Sequence, residues 1–450
     1  MSQPPVSVVP GLGERVVVHL DSRGARWVGA SAVLGAACWL IAGNRPGWSL
    51  TVLAAVTLIA RGIFLGRPVT AMHATAAMLV LTAGLSAHVL SIDLLGDALV
   101  VGSGLVLMWP TSARPRPDDL SRIWGLVNAT SGDPLAPFVM QTGKCYHFSA
   151  SGAAALAYRT RMGFAAVSGD PIGDETQFAG LVADFAATCH THGWRIAVVG
   201  CSQRRLPLWG DGAALGQPLR PIPIGRDVVV EVGAFDMTGR KFRNLRQAEH
   251  HTYNIGITTE IVDEQELGER QRAELREMLL ASPKGAHTDR GFAMSLDGVL
   301  EGRYPGMKLI IARDAFGRVQ GFHRYAIAGG GSDYSLDVPW RRRGAPNGID
   351  ERLSVDMIAA AKIAGAQRVS LSFAAFPDIL DEEPRGKLER LFHSVLHIFD
   401  PLIRLESLDH YVHKFHALDE RRYALISMAQ VVPLIFVLLS LEFFPRRRHL

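Results

Sequence analysis

Four apolar stretches crowd the start of the chain, at residues 27–43, 47–65, 71–90 and 94–109, with short polar turns between them. Each approaches the ~20 residues that an α-helix needs to cross a bilayer. Nothing else in the sequence limits the fold as strongly, because backbone polar groups in lipid are satisfied only within helices or closed barrels. The spacing predicts an N-terminal bundle of about four transmembrane helices over residues 1–110. A further apolar stretch, 423–444, contains Pro433 and Glu442 and is followed by Arg446, Arg447 and Arg448. With the tail, residues 423–450 read as a hydrophobic C-terminal membrane helix that either spans or lies at the interface.

Loop charges set an orientation. Arg15, Arg23 and Arg26 precede the first stretch, Arg61 and Arg67 fall near the turn after the second, and Arg114, Arg116 and Arg122 follow the fourth. The opposite side offers Arg45 and the acidic pair Asp93 and Asp97. The predicted arrangement is a multi-pass protein of the cell membrane with the N-terminus and the catalytic body after residue 110 in the cytoplasm. It is not a cleaved signal peptide, since apolar stretches continue directly after the first. The net charge is only +4, so any strongly basic site must be local. Four cysteines without a C-x-x-C pair exclude a disulfide framework and a zinc ribbon.

Residues 111–121 are a Pro/Arg-rich linker, and the body beyond reads as alternating helix and strand. Asp174 and Gln177 fit a capping box before a helical run from Phe178 to Cys189; Gly193 ends it and a buried strand follows. The plan recurs later. Asn347 is placed to cap a helix with Asp350 and Glu351 in its first turn. Ile349, Leu353, Met357, Ala360 and Ala364 form its apolar face, Gly365 stops it, and residues 369–374 are the next strand. Hairpin-like strands precede each unit, at 138–150 and 155–167, then at 307–313, 319–327 and 333–338. The body therefore reads as two similar α/β modules, 122–224 and 225–422, with a boundary near Gly225.

Between them, residues 240–254 read as a helix with Arg240, Arg243, Gln247, His250 and Asn254 on one face. Lys241 and Arg246 flank that face, and Phe242, Leu245 and Tyr253 form the other side. Such a helix is either a solvated amphipathic element or a surface for a polyanion, tRNA phosphates or anionic lipid headgroups. His393 and His397 have the i, i+4 spacing of zinc hydrolases without the Glu or a third ligand, and Cys189, His190 and His192 fare no better. Residues 163–173 lack both dinucleotide and P-loop fingerprints, and no G-x-S-x-G elbow occurs.

One run carries more chemistry. Residues 335–353, SLDVPWRRRGAPNGIDERL, give a strand, three arginines, a Gly/Pro turn and a helix start. Cations before a helix N-terminus attract anions, both by charge and through unpaired N–H groups. The run begins the R-x-x-G-x-G/A loop with which N-acyltransferases hold the pyrophosphate of acyl-CoA. Pro346 takes the last position, however, and has no N–H to donate.

Taken with residues 168–173 (SGDPIG), 242–256, 308–327, 368–376 (RVSLSFAAF) and 409–423, this run resembles the C-terminal synthase domain of the lysyl-phosphatidylglycerol synthase (multiple peptide resistance factor) family. The resemblance covers roughly residues 122–426. It departs at Val338-Pro339-Trp340, where the family often has Leu-Met before the arginines, and at Ser372, where it often has Asn.

The resemblance implies tandem GNAT-like modules, the second carrying the cleft. It implies transfer of an amino acid, lysine among the candidates, from aminoacyl-tRNA to the glycerol hydroxyl of phosphatidylglycerol or a related anionic phospholipid. No cofactor or metal is needed. The long flippase domain of full-length relatives has no counterpart in four spans, so a separate flippase or a homo-oligomer is an expected partner. Asp337, Arg341 and Ser372 are the candidate catalytic residues. Asp337 has two readings: it binds the amine or acts as base, or it is a structural carboxylate paired with an arginine. Arg342, Asn347, Gly348, Ser370, Lys414, Arg243 and Arg246 are candidate substrate contacts. Two other readings stay open, an acyl-CoA-dependent N-acyltransferase and a non-catalytic lipid-binding membrane scaffold.

Overall fold

All four N-terminal apolar stretches form helices: α1 (Arg23–Ala42), α2 (Pro46–Phe64), α3 (Ala71–Val89) and α4 (Asp93–Leu107). The computed structural model describes residues 17–18, 23–42, 46–64, 67–280, 295–375 and 414–443. Arg15, Arg45, His393, His397, residues 409–413 and Arg446–Arg448 lie outside the described residues. The chain divides into two units, each compact. The first comprises residues 1–113, 160–165 and 185–196, and the second comprises residues 114–159, 166–184 and 197–450.

In the first unit, α1 packs on α2, and α4 on both α2 and α3. Small residues permit the approach: a Cβ on Gly104 would lie 2.9 Å from the Ala55 carbonyl oxygen. A two-residue ladder, β1 (Val17–Val18) with β2 (Val69–Thr70), leads into α3, whose first turn Thr70 caps by accepting from the His73 N–H. Apolar side chains face outward, among them Trp27, Leu34, Ile41, Leu79, Val89 and Leu94. Of the four expected spans, one described helix, α3, has both the length and the apolar composition to cross a bilayer. The apolar runs of α1 and α2 are shorter, Trp27–Ala42 and Leu50–Phe64, and α4 has 15 residues, about 22 Å of helix.

The second unit holds most of one twelve-stranded sheet. Its strands are β3 (Cys145–Phe148), β4 (Ala154–Arg161), β5 (Phe164–Ser168), β6 (Ile172–Gly173), β7 (Arg195–Ser202), β8 (Arg220–Glu231), β9 (Thr258–Asp263), β10 (Met307–Arg313), β11 (Val319–Ala328), β12 (Asp333–Arg341), β13 (Arg368–Ala375) and β14 (Leu418–Ile426). Their order is β3-β4-β5-β7-β14-β8-β13-β12-β11-β10-β9, with β6 beside β4. Helices α5 (Leu120–Ala129), α6 (Phe178–Thr191), α7 (Arg243–Asn254), α8 (Glu269–Leu280) and α9 (Ile349–Ile363) complete an α/β body. Gly225, the expected module boundary, falls inside β8. The C-terminal strand β14 lies antiparallel between β7 and β8 and joins the two halves into one sheet.

Local signals set the helix ends. Asp174 accepts from the Thr176 N–H at 3.0 Å, and Gln177 donates its side-chain amide to the same carboxylate at 3.1 Å. This is a variant of the capping box, with a short 3-10 turn before α6. Gly193 and Gly365 take positive φ, 63° and 81°, just past α6 and α9. The C-terminal helix α10 (Val431–Phe443) has 13 residues, about 20 Å, which is short of a bilayer core.

Candidate functional site

β12 is paired along its whole length with β11, from Asp333↔Ala328 to Arg341↔Gly321. On its other side, parallel β13 pairs only from Asp333↔Arg368 to Ser335↔Ser370. Both strands run on past that point, β13 paired with β8 on its other edge throughout. The two parallel strands therefore part, leaving a wedge between residues 336–341 and 371–375. Extended backbone lines it, and within the described residues no strand pairs with the wedge-facing edge of β12 there.

At the mouth of the wedge the chain leaves β12 through the arginines. The Arg342 N–H donates to the Gln320 carbonyl at 2.9 Å, and the Ala345 N–H closes a turn onto Arg342. Gly348, at φ 95°, is the N-cap of α9. A Cβ there would sit 3.0 Å from the Ala248 carbonyl of α7, so the glycine permits both the left-handed turn and the helix contact. The expectation that Asn347 caps the helix is corrected: Asn347 is exposed, and no side-chain hydrogen bond caps α9.

Charge is concentrated around this helix start. Arg341 Nη1 lies 3.6 Å from Asp350 Oδ2, and the other Asp350 oxygen is 3.3 Å from Nε2 of the fully buried His323. Lys414 pairs with Glu351 in the same helical turn. Arg342 and Arg343 are exposed and make no ion pair among the described residues. The acids that favour the helix dipole are thus matched by Arg341 and Lys414, and the remaining guanidiniums give the loop its positive excess.

Asp337 sits apart from that loop. Its side chain is fully buried, with Oδ2 accepting from Arg324 Nη1 at 2.9 Å and Oδ1 from the Leu296 N–H at 2.8 Å. Arg324 also donates to Glu264 at 2.8 and 3.1 Å. Burial pushes the Asp337 carboxyl up to about 6 against the opposing pull of Arg324. Of the two readings of Asp337, the geometry has the arginine-paired carboxylate. Trp340 is buried as well and stacks on Phe322 at 5.5 Å between centroids. Ser370 is buried at the apex of the wedge, and a bulge falls between it and Ser372.

The basic helix is turned from its expected aspect. Leu245 and Thr252 face the core, while Tyr253, expected on the apolar side, is 69% exposed. Arg243 points outward. Arg246 is half-buried and donates to the carbonyls of Met237 and Gly239, closing the turn that leads into α7.

A second buried cluster had no reading as a unit in the sequence. Arg422, fully buried, reaches Asp133 at 2.6 Å, Asp227 at 2.7 Å, Asp170 at 3.4 Å and the Gly200 carbonyl at 3.1 Å. Three carboxylates around one guanidinium leave negative charge in excess. Burial pushes the Asp227 carboxyl up to about 7, and Asp170 is raised by burial and by Asp133. Asp170, in the SGDPIG run, and Arg422, in the 409–423 run, lay in stretches that carry the resemblance; Asp133 and Asp227 did not.

The fold is shared with solved structures. The C-terminal domain of a putative lysylphosphatidylglycerol synthetase from Agrobacterium fabrum superposes with a TM-score of 0.61 at 22% identity, over 73% of this chain and 98% of that one. L-PGS from Bacillus licheniformis gives 0.63 at 18%, over 75% and 99%. The class is thus that of the lysylphosphatidylglycerol synthetase C-terminal fold. Residues 125–426 match the family model described as phosphatidylglycerol lysyltransferase, C-terminal, and the chain belongs to that family, as its motifs led us to expect. An MprF-like domain protein of Mycobacterium tuberculosis is 70% identical over 462 residues, covering 99% of this chain and 96% of that protein. The lysylphosphatidylglycerol biosynthesis bifunctional protein LysX of Rhodococcus jostii is 29% identical over 296 residues. That match covers 65% of this chain and 26% of LysX, so the chain corresponds to about a quarter of the bifunctional relative.

Proposed function

We propose that this protein is an integral-membrane aminoacyltransferase that moves an amino acid, lysine by the names of its relatives, from aminoacyl-tRNA to the glycerol hydroxyl of phosphatidylglycerol. The observation that carries the reading is the parting of β12 and β13 directly beneath the arginine loop. An extended wedge can seat the aminoacyl end of a donor, and the loop at its mouth can hold a phosphate.

Transfer from one ester to another is nearly isoenergetic and needs no redox or cofactor chemistry. It needs the ester carbonyl and the hydroxyl held together, donors for the developing oxyanion, and a path for one proton. In this reading Arg341 and Arg342 grip a phosphate through planar forks. The backbone at Asn347 and Gly348 adds helix N-terminal N–H groups, Ser370 lies at the apex of the wedge, and Ser372 follows it along β13. Lys414 and Arg243 meet further phosphates. Asp337 holds β12 in place through Arg324, and Arg246 supports α7 without touching substrate. Pro346 weighs against acyl-CoA as donor.

Outward apolar side chains on α1–α4 support a multi-pass membrane domain over residues 1–110, with the body on the cytoplasmic side where charged tRNA is found. The test is a transfer assay with the purified full chain, radiolabelled lysyl-tRNA and phosphatidylglycerol vesicles. Label appearing in the lipid fraction is expected. No transfer from lysyl-tRNA or from a mixture of all aminoacyl-tRNAs would sink the reading.

A further inference from the structure

The β10–β11 turn places an aromatic ring in water. Phe316 is 83% exposed at its tip, with the Arg318 guanidinium 5.1 Å over the ring. An exposed phenyl forfeits the hydrophobic free energy that burial would return. The turn is otherwise well built: Asp314 accepts from the N–H groups of Phe316 and Arg318, and Gln320 donates its side-chain amide to the same carboxylate. The fold therefore holds the ring outward on a firm support.

Its surroundings are the same end of the sheet that carries the arginine loop. Gly321 is paired with Arg341, and the Arg342 N–H reaches Gln320. The end of α7 closes the other side, since a Cβ on Gly256 would lie 3.3 Å from Ala315. Just before that glycine, Tyr253 and Ile255 are exposed. One surface thus combines Phe316, Tyr253 and Ile255 with the cations Arg342 and Arg343, and with Arg318, whose guanidinium is paired with Asp314 at 2.8 Å.

We propose that this end of the sheet docks on an anionic bilayer, with Phe316 and its apolar neighbours among the headgroups and the arginines on lipid phosphates. Aromatic rings settle at the membrane interface, and basic residues beside them gain roughly fivefold in partition per charge on an anionic surface. Double-stranded RNA would use the arginines but has no partner for Ile255 and an outward phenyl. The inference rests on the lipid-acceptor reading and deepens it, since it brings the wedge to the surface from which phosphatidylglycerol would enter.

The test uses the full chain with Cys38, the exposed thiol, replaced by serine and Phe316→Cys labelled with an environment-sensitive fluorophore. The protein is reconstituted into vesicles of phosphatidylcholine with or without phosphatidylglycerol. Ile363→Cys, 89% exposed at the far end of α9 about 21 Å along the helix, serves as control. The expected result is a blue shift and quenching by brominated acyl chains at position 316, strong with phosphatidylglycerol and weak without it. Iodide should quench the control instead. Arg342→Glu with Arg343→Glu should cut the lipid quenching severalfold, and Tyr253→Cys should report the same pattern should the Phe316 variant fold poorly. Iodide access at 316 equal to the control overturns docking. So does shielding that follows protein-to-lipid ratio, which indicates a second copy, or shielding by tRNA in detergent without lipid. Transfer activity is measured in the same vesicles: transfer without shielding sinks docking alone, and shielding without transfer sinks the enzyme reading alone.

Discussion

Arg341 is the residue on which the proposed chemistry turns, and its partner explains how it is held. Asp350 pairs with it at 3.6 Å while His323 fixes the other Asp350 oxygen, so the guanidinium is steered without being consumed by a tight ion pair. Replacing Arg341 by alanine should lower kcat/KM about 30- to 150-fold, the equivalent of about 2–3 kcal/mol for a lost charge-assisted contact. Lysine should recover little, because an ammonium does not reproduce the planar fork. Radiolabel transfer on folded variants checks both. The Arg422 cluster makes a separate claim about stability. Asp227 titrates near 7 when folded, above the usual unfolded carboxylate value of about 3.9. Between those values the native state binds the extra proton, so this group's contribution is present at low pH and is lost as pH rises through about 7. Asp227→Asn, which has no proton to lose, should flatten the fall of Tm across that window. An unchanged slope in thermal melts taken at several pH values would remove Asp227 as the cause.

α7 separates two kinds of basic residue that sequence alone grouped together. Arg243→Glu should weaken binding of tRNA or anionic lipid and reduce the salt slope by about one unit, as expected for one lost phosphate contact. Arg246→Glu should act differently. It withdraws the donors that close the turn at Met237 and Gly239, so it should lower Tm before it changes any salt slope. Filter-binding titrations beside thermal melts distinguish the two. The contrast also marks where sequence reading succeeds. Helix ends at Asp174, Gly193 and Gly365 were legible because caps act over three or four residues. The aspect of α7 was not: periodicity placed Tyr253 with Leu245, while the packed helix buries Thr252 instead. The same distance limit hid the ion clusters. Arg324 takes Glu264 from 60 residues away, and Arg422 takes Asp133 from 289. Asp337 was visible as a charge in a strand, and its partner was visible only in three dimensions. The arginine loop, by contrast, was legible as a candidate because strand, turn and helix start are consecutive.

For the molecule as a whole, the outward apolar faces of α1–α4 and the loop arginines make one prediction together. A cysteine introduced at Thr111 or Ser112, with Cys38 replaced by serine, should escape an impermeant maleimide in intact cells and react once the membrane is opened. Reaction in intact cells would put the body on the other side, away from charged tRNA.

The position of β14 has a consequence for how such a chain is made. Its partners β7 and β8 leave the ribosome some two hundred residues earlier, yet they pair through β14. Until residues 418–426 are synthesised, the nascent body holds two open strand edges facing a gap, each a template for pairing with another chain. Because long-range pairing is slow and aggregation-exposed, a product cut short before β14 should be insoluble even with the arginine loop and the wedge already complete. The last described strand therefore closes the sheet only when synthesis of the body is nearly complete.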